Sequence, residues 1–527
     1  MRDFQSPGRS AVRALNGIAA TSHPLATLAA LDILKAGGNA VDAAVAASAV
    51  LCVVEPQSTG IGGDCFALFA PNGSADIVAV NGSGRAPARA TANWYLEREI
   101  ERLPLYHSHA VTVPGAIDAW ATLLERFGTM ELGRLLGAAI GFANDGYVVH
   151  ERVARDWQAA SDKLARDENA ARIFLPGGKA PAVGDVHRQP ELAATLRTIA
   201  AEGRDGFYSG RVAEDIVAYL NSLDGLHSLE DFAGQETEVL DPISTTYRGH
   251  QVFVVPPNNP GITALLMLNI LEAFSFAGLD PLSIERFHLQ GEATRLAFNV
   301  RETYLGDPRQ VEVPVDNLLS KDFAQVLARE VSRERAMALE AIRSPGHPDT
   351  IYLSVVDKDR NAISFINSTF HAFGSGLCSP TGVVLQNRGS GFRIEPGHPN
   401  CIAPGKRPLH TIMPGMLARE GRVVMPYGVM GGHFQPVGQV HLLTNMLDFG
   451  MDPQAAIDCP RGFHFNGVYG LETGVPETVA AGLSELGHQV SRVASPHGGG
   501  QAIWIDWQQG TLAAGSDPRK DGCAIGY

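Results

Sequence analysis

The spacing of apolar residues predicts two neighbouring helices near the start of the chain. Leucines recur every three residues across positions 25–34, directly after Ser22-His23-Pro24. That combination is typical of a helix with proline in its first turn. Gly37-Gly38 ends this helix, and Asn39 can cap a second one that extends to residue 53. The second helix is alanine-rich on every side, which predicts close packing inside the core.

The pattern then divides the chain into a mainly helical part and a strand-rich part. A glycine-rich loop at 58–63 precedes two apolar runs, 66–69 and 77–80, which the turn sequence between them predicts to be a hairpin. Between residues 115 and 345 helical periodicity predominates, predicting helices at 116–126, 191–202, 211–223, 263–274 and 321–342. After the Pro/Gly linker 344–348, the predicted strands are 352–356, 362–366, 382–386, 422–425 and 502–507, with helices at 440–448 and 476–486.

Composition narrows the class of protein. The chain has 527 residues, 45% apolar and 19% charged, which excludes disorder and allows three domains or one large one. A net charge of −14 argues against nucleic-acid partners and against an anionic membrane surface. The longest apolar stretches, 40–54 and 262–271, are shorter than the roughly 20 residues of a membrane span. With no basic start followed by an apolar run, we expect a cytoplasmic protein.

Several common types of site are not predicted. None of the six cysteines forms a CxxC pair, which argues against a zinc ribbon or a redox dithiol. The sequence contains no GxSxG, HExxH or GxxxxGK[ST] motif. His107 and His109 could share one face of a strand, but no third ligand is evident. We therefore predict no metal site.

Thr350 is the candidate nucleophile. It follows the linker and precedes a strand, at the boundary between the helical and strand-rich parts. If the chain were cut before Thr350, its free α-amine would titrate near about 7.7–8.0 and could act as general base for its own hydroxyl. From spacing alone, a threonine in this position is more often only a strand former.

Thr350 belongs to a series of short motifs that follow one another in a fixed order along the chain. They are Gly37-Gly-Asn-Ala-Val-Asp-Ala-Ala44, Gly60-Ile-Gly-Gly63, Val113-Pro-Gly115, Tyr247-Arg-Gly249, Tyr304-Leu-Gly-Asp-Pro308, Thr350 with Ser354-Val-Val-Asp357, Lys406-Arg-Pro-Leu409, Gly431-Gly432 and Ser516-Asp-Pro-Arg519. With them the chain resembles the γ-glutamyltranspeptidase family of N-terminal-nucleophile hydrolases over nearly its whole length.

The resemblance implies an α+β fold, an αββα four-layer sandwich. It implies one precursor that cleaves itself between Asp349 and Thr350. The products would be a large, helix-rich subunit 1–349 and a small, strand-rich subunit 350–527, which together form one αββα unit. An (αβ)₂ assembly is expected. No metal or organic cofactor is predicted, because the α-amine and two backbone donors supply the base and the oxyanion site.

The resemblance also implies roles for individual residues. Thr350 matches the nucleophile, and Gly431 and Gly432 match the glycines whose N–H groups stabilise the oxyanion. A bare Gly-Gly pair is otherwise more often only a tight turn. Ser368 matches a hydroxyl that hydrogen-bonds the nucleophile, with a solvated surface serine as an equally good interpretation.

Departures from the family pattern bear on the substrate. Ser83 stands where the family has a carboxylate-binding arginine, and Gly391 replaces an ammonium-binding aspartate. Phe370 lies near the position of an asparagine, and His410-Thr411 replace paired serines. Losing the two charged groups removes contacts worth about 1.5–3 kcal/mol each, so a γ-glutamyl donor should bind poorly. The pattern is most similar to the oxamate amidohydrolase branch, which converts oxamate to oxalate and ammonia in purine-nitrogen salvage.

A substrate with one carboxylate and no amine needs a nearby cation. Arg85, Arg388 and His410 lie beside the family's substrate positions, and Thr411 completes the predicted substrate-binding set. Arg85 is the first candidate, being two residues from Ser83, although a surface ion pair would explain either arginine. Oxamate is the first substrate choice, followed by γ-glutamyl compounds such as glutathione and then by acylated β-lactams or glutaryl amides. The non-enzymatic alternative is an uncleaved relative that only binds a small carboxylate.

Overall fold

The computed structural model describes residues 8–338 and 350–527. Its strands are Val12–Ala14 (β1), Ile18–Thr21 (β2), Asp64–Ala70 (β3), Val78–Gly82 (β4), Tyr147–Val148 (β5), Val186–His187 (β6), Glu238–Leu240 (β7), Ile243–Tyr247 (β8), His250–Val254 (β9), Ile351–Val356 (β10), Ala362–Ser368 (β11), Gly415–Arg419 (β12), Arg422–Met430 (β13), Gly462–Phe465 (β14), Val468–Leu471 (β15), Val490–Arg492 (β16), Gly499–Asp506 (β17), Thr511–Ser516 (β18) and Cys523–Gly526 (β19).

The helices of the same residues are Pro24–Lys35 (α1), Ala40–Val54 (α2), Ala92–Leu96 (α3), Ala116–Phe127 (α4), Leu132–Leu135 (α5), Gly137–Asp145 (α6), Glu151–Ala159 (α7), Ser161–Leu164 (α8), Glu168–Phe174 (α9), Pro190–Glu202 (α10), Asp205–Tyr208 (α11), Gly210–Ser222 (α12), Leu229–Ala233 (α13), Gly261–Leu271 (α14), Ile284–Tyr304 (α15), Val315–Leu319 (α16), Lys321–Glu330 (α17), Gln435–Leu447 (α18), Pro453–Asp458 (α19) and Glu477–Glu485 (α20).

Two seven-stranded sheets form the centre of the fold. One has the order β19-β2-β10-β11-β3-β4-β7, and Thr350 directly precedes its strand β10. The other has the order β1-β18-β17-β13-β12-β9-β8, and Gly431 directly follows its strand β13. We call them the Thr350 sheet and the Gly431 sheet. Each takes strands from both sides of the gap at 339–349, so the two predicted subunits share both sheets.

Alternation along the strands produces the four layers. On β10, Tyr352 and Val356 face a core that also contains Met416 and Ile503 of the Gly431 sheet. The intervening Leu353 and Val355 join α1 and α2 in a second core. A third core packs α14, α15 and α18 on the outer face of the Gly431 sheet. Because successive side chains of a strand point to opposite faces, this arrangement is the expected αββα sandwich.

Capping explains why the first two helices form as predicted. The His23 side chain accepts a hydrogen bond from the Leu25 amide at the start of α1. Asn39 and Asp42 form a reciprocal capping box at the start of α2. All of α2 is buried, as its alanine-rich sequence predicts. The hairpin is also present, since β3 and β4 pair antiparallel.

Two predictions about secondary structure are wrong, and several strands were not predicted. The predicted helix 321–342 ends at Glu330, and its last residues lie outside the described part of the chain. Residues 382–386 form isolated bridges, such as Gly62 with Leu385, rather than a strand. The part assigned as mostly helical contains β7, β8 and β9, of which β9 pairs with the distant β12. Within the described residues, no helix is long and apolar enough to span a membrane.

Candidate active site

Thr350 and Ser368 lie side by side at the end of the Thr350 sheet. Thr350 is fully buried, and its Oγ1 is 3.2 Å from Oγ of Ser368, the last residue of β11. The antiparallel pairing of β10 with β11 aligns Ile351 with Asn367, which brings the two hydroxyls together. Ser368 Oγ also accepts a hydrogen bond from the Phe370 amide at 2.9 Å. The serine is therefore a buried partner of Thr350 rather than a surface residue.

The glycine pair follows the strand that crosses β10. A Cβ at Gly428 would lie 2.3 Å from the Tyr352 ring, and Ser354 Oγ donates to the Pro426 carbonyl at 3.4 Å. The step from Ser354 to Tyr352 on β10 leads toward Thr350. The matching step on β13, from Pro426 to Gly428, leads toward Gly431. Extended by two residues, this trend predicts that Thr350 lies close to Met430, directly before the Gly431-Gly432 turn.

The turn has a backbone that suits exposed amide donors. Gly431 has φ 114° and Gly432 φ 56°, a region that favours glycine. The pair leads through a short 3₁₀ turn into α18, so its N–H groups lie at the N-terminal side of a helix. A Cβ at Gly431 would lie 2.8 Å from Gly498 Cα. We refer to Thr350, Ser368, Gly431 and Gly432 as the Thr350 cluster.

A second buried cluster is organised by Asp64, the first residue of β3. Asp64 lies opposite Ser368 in the β11–β3 ladder, where it accepts a hydrogen bond from His410 Nε2 at 2.9 Å. Its other oxygen accepts from the amides of Gly84 and Gly115 and from Gln386 Nε2 at 2.8–3.1 Å. Burial, together with nearby Arg388, lowers the pKa of His410 to about 3, so its imidazole is neutral.

Arg388 is the cation of this cluster. Its side chain is fully buried, and Nη1 donates to Thr411 Oγ1 at 2.7 Å. The guanidinium lies 4.1 Å from the centroid of the Phe370 ring. Nε and Nη2 are buried and have no hydrogen-bond partner within the described part of the chain. Burial lowers the pKa of Arg388 to about 9, an effect that Asp64 partly offsets. Asp64, Arg388, His410 and Thr411 form the Arg388 cluster.

A pocket of about 180 Å³ adjoins the Arg388 cluster through His410 and Thr411. It is lined by four predicted site positions, Phe370, Gly391, His410 and Thr411, and by His433 directly after Gly432. Unpartnered buried N–H groups are costly, so the Arg388 guanidinium beside this pocket is suited to a carboxylate. The pocket is therefore suited to a small anionic group.

A second cavity, of about 510 Å³, also reaches the glycine turn. Gly431 itself lines it, together with Ala372, Arg152 and Lys520. Residues of this turn therefore line both cavities, His433 the smaller one and Gly431 the larger one. An amide bound across the turn could place its acyl part in the first and its amine part in the second.

Ser83 and Arg85 lie apart from the small pocket. Ser83 is buried, and its Oγ accepts a hydrogen bond from Asn258 Nδ2 at 3.0 Å. Burial and the neighbouring Arg407 and Arg309 lower the pKa of Arg85. Neither Ser83 nor Arg85 is among the described residues that line the 180 Å³ pocket. Arg388 does not line the pocket directly either, but it contacts Thr411 and Phe370, which do, and this favours Arg388 over Arg85 as the cation near the pocket.

Sequence analysis missed Asp64, which sits at the centre of the second cluster. The available signal was a carboxylate between the glycine loop 58–63 and the apolar run that follows it. His107 and His109 are 4.5 Å apart between ring centroids, in a short 3₁₀ turn rather than on a strand. In residues 8–338 and 350–527 no group of three or more His, Cys, Asp or Glu side chains could hold a metal ion.

Comparison with known proteins gives the family. The profile of the family described as gamma-glutamyltranspeptidase matches residues 26–527. The chain is 38% identical over 515 residues to the glutathione hydrolase-like YwrD proenzyme of Bacillus subtilis (strain 168), covering 96% of this chain and 97% of that one. It is 34% identical over 529 residues to the oxamate amidohydrolase proenzyme of Klebsiella pneumoniae, covering 97% of this chain and 98% of that one.

A solved structure agrees closely with this fold. The crystal structure of cephalosporin acylase from Bacillus halodurans superimposes with a TM-score of 0.93 at 41% identity, covering 100% of this chain and 99% of that one. These relatives differ in the substrates that their names state, but all belong to one group of amide-cleaving enzymes. The chain is a member of the gamma-glutamyltranspeptidase family of N-terminal-nucleophile hydrolases and is an enzyme that acts on amide bonds.

Proposed function

We propose that the chain is made as a precursor, cleaves itself before Thr350, and then hydrolyses a small amide whose acyl part has a carboxylate. Oxamate is the first substrate choice. The observation that supports this most directly is the buried guanidinium of Arg388, whose Nε and Nη2 have no partner in the described residues and which contacts Phe370 and Thr411 of the 180 Å³ pocket. Relatives named as proenzymes support the precursor.

Maturation begins with the Thr350 hydroxyl. Oγ1 attacks the carbonyl of Asp349, which lies outside the described residues, and the C–N bond breaks as an ester forms. Water then hydrolyses the ester and leaves a free α-amine on Thr350. The products are subunits 1–349 and 350–527, and we propose that two such pairs form an (αβ)₂ assembly.

Turnover uses the new amine as the base. The amine takes the proton of Oγ1, and the oxygen attacks the amide carbonyl of the substrate. The N–H groups of Gly431 and Gly432 stabilise the resulting oxyanion. The leaving nitrogen takes the proton and departs as ammonia or an amine, and water hydrolyses the acyl-threonine ester. Ser368 holds Oγ1 in position through its 3.2 Å contact.

The charges around the pocket favour an anion without an amine. Asp64, the carboxylate of the Arg388 cluster, already accepts hydrogen bonds from four donors. Glu302, which lines the pocket, is paired with Arg301 and Arg393. Gly391 contributes no side chain to the pocket. A glutamyl α-ammonium would have to compete with these donors for a buried carboxylate, and losing hydration without a partner is costly for a charged group. Oxamate needs only one cation for its carboxylate.

The 510 Å³ cavity supports a second candidate. Ammonia would leave this cavity unused, whereas the bulky amine part of an acylated β-lactam or a glutaryl amide could occupy it. The cephalosporin acylase with a TM-score of 0.93 supports the same candidate. Glutathione and other γ-glutamyl compounds are the third candidate, supported by the glutathione hydrolase-like relative.

A direct comparison of substrates tests the proposal. The purified, cleaved protein is assayed for ammonia release from oxamate, and for amine release from a γ-glutamyl anilide and a glutaryl amide. We expect kcat/KM for oxamate to exceed that for the glutamyl anilide by at least about 100-fold, or roughly 2.7 kcal/mol. A preference for the glutamyl anilide would refute the substrate assignment. A purified chain that stays in one piece would refute self-processing and favour a binding protein.

A further inference from the structure

The loop that follows β11 connects the two clusters. Ser368 ends the strand, and the next residues turn with positive φ at Phe370 (81°), Phe373 (53°) and Gly374 (52°). Phe370 contacts both clusters, because its amide donates to Ser368 Oγ and its ring covers the Arg388 guanidinium. Left-handed conformations at two phenylalanines persist only where surrounding contacts hold them. We call residues 369–376 the Phe370 loop.

Several hydrogen bonds hold this loop, such as those of the Phe373 amide to the Gln57 carbonyl and of the His371 amide to Asn387 Oδ1. A further contact comes from a lysine of the predicted large subunit. Lys163, in α8 of the predicted large subunit, donates a hydrogen bond to the Gly374 carbonyl at 3.2 Å and another to the Ala372 carbonyl. A Cβ at Gly376 would lie 2.8 Å from Lys163 Cγ, so the stem of the lysine packs against the loop as well. The ammonium thus draws two carbonyls of one turn toward a single point.

We propose that Lys163 is a positioning residue for the reaction: it fixes the Phe370 loop so that Phe370 meets Ser368 and Arg388 at the same time. This rests on the proposed function, since Arg388 is there the group that binds the substrate carboxylate. A lysine can do this because an ammonium has three donors and a long, adjustable stem. The residue acts through the loop and does not touch substrate.

The groups around Lys163 determine how its effect depends on pH. The Tyr106 ring is 5.0 Å from Nζ, and Arg166 lies over the same ring. His371 faces it from the loop, and burial, Lys163 and Arg388 lower the pKa of that histidine to about 3. Burial lowers the pKa of Lys163 itself to about 7. Above that pH the lysine loses the charge that attracts the carbonyls, so activity should fall on the alkaline side.

Three variants test the role of Lys163. Lys163→Met keeps the length of the side chain without donors, Lys163→Arg keeps the charge, and Lys179→Met is a control at an exposed lysine. Each is assayed on the amide that the wild type hydrolyses fastest, across pH, with cleavage followed on denaturing gels and the unfolding midpoint recorded. We expect Lys163→Met to lower kcat/KM about 10-fold or more, chiefly by raising KM.

The other readouts separate positioning from simple destabilisation. Lys163→Met should lose the alkaline decline, Lys163→Arg should recover most of the activity and move the decline to higher pH, and Lys179→Met should match the wild type. Cleaved Lys163→Met with wild-type kcat/KM and pH profile overturns the proposal, as does equal damage in Lys163→Arg. A wild-type chain that stays uncleaved, or hydrolyses none of the three amides, refutes the proposed function, and the role of Lys163 with it.

Discussion

The Thr350 cluster and the Arg388 cluster are adjacent, yet they are built from opposite kinds of groups. The first contains hydroxyls and glycine amides and no charged side chain, with Thr350 and Ser368 both fully buried. The second buries a carboxylate and a guanidinium, also with no exposed surface. The two are joined by neighbouring positions on β11 and β3, where Ser368 is opposite Asp64.

This difference in composition matches a division of tasks, in which the Thr350 cluster carries out the reaction and the Arg388 cluster recognises the substrate. A terminal threonine brings its own base, so the reacting end needs only positioned hydroxyls and backbone donors. Recognition of an anion needs a fixed charge, and burying that charge requires support on every side. Thr411 accepts a hydrogen bond from Arg388, and the nearby Asp64 favours its charged form. Nε and Nη2 of Arg388 have no partner in the described residues and remain for a ligand. Changes in the first cluster should therefore stop turnover of every amide, and changes in the second should alter which amide is preferred.

Replacing the nucleophile should have the largest effect. Thr350→Ala removes both the attacking oxygen and the group that starts cleavage, so turnover should fall by at least about 1,000-fold. A denaturing gel should show one full-length chain. Thr350→Ser retains a hydroxyl and serves as the control, which should still yield two bands. Efficient processing of purified Thr350→Ala would contradict the assignment of Thr350.

Removing the buried cation should have the next largest effect, and a selective one. Arg388→Met keeps much of the side-chain volume and leaves the substrate carboxylate without its charged donors, each worth about 1.5–3 kcal/mol. Steady-state kinetics should show kcat/KM for oxamate falling by roughly 100-fold, mainly through KM. Cleavage into two subunits should remain complete, because that bond involves no substrate carboxylate.

A neutral amide provides the control for Arg388→Met. Hydrolysis of acetamide, however slow in the wild type, should change little in this variant because acetamide has no carboxylate. Equal losses for oxamate and acetamide would show that Arg388 supports the reaction centre rather than the substrate, and the distinction between the clusters would fail.

The two clusters also differ in how far sequence alone could predict them. Thr350, Ser368 and the glycine pair belong to motifs that follow one another along the chain, so their resemblance to a family was sufficient to propose them together. Arg388 was a candidate on the same grounds, but its rank below Arg85 came from distance in sequence. The directions of the side chains favour Arg388 instead. Arg85 lies near two other arginines, Arg407 and Arg309, whereas Arg388 donates a hydrogen bond to Thr411.

The errors in the fold have a similar origin. Helices α1 and α2 have their signals within a few residues of their ends, in the form of caps and a proline. Strand β9 instead pairs with β12, which is more than 160 positions away in sequence, and β8 joins the sheet through β9. Asp64 was missed for the same reason, since its partners come from four separate segments. Local chemistry predicts elements that stabilise themselves, and tertiary pairing determines the rest.

The pH dependence of kcat/KM should also distinguish the clusters, with a smaller effect than the substitutions above. The Thr350 amine must be neutral to accept a proton, so kcat/KM should fall about tenfold per unit as pH drops below roughly 7.7–8.0. His410 should not contribute, because its pKa is lowered to about 3 and its imidazole stays neutral through this range. A pH–rate profile of His410→Gln should retain the acid limb of the wild type. An acid limb displaced by a whole unit would mean that His410 takes part in the proton transfer.

The same histidine affects stability with a predictable sign. A folded-state pKa below the ordinary 6.5 means that the unfolded chain binds the proton more readily. The contribution of neutral His410 to stability is therefore complete above pH 6.5 and is lost as pH falls toward 3. Urea unfolding between pH 7 and pH 4 should show a smaller decline for His410→Gln than for the wild type, even where the acid limb of activity is unchanged.

The smallest effect is expected at Arg85, and it provides the sharpest comparison with Arg388. Both arginines have a buried Nε and Nη2 without partners in the described residues, so burial alone does not distinguish them. Their neighbours do: Arg85 shares its surroundings with two other arginines and with Glu238 and Asp307. Arg85→Met should then raise KM for oxamate by less than about 3-fold, or 0.65 kcal/mol, measured beside Arg388→Met under the same conditions. If the larger change in KM follows the Arg85 substitution, the substrate carboxylate binds at Arg85, and the pocket beside Arg388 must then bind the other end of the amide.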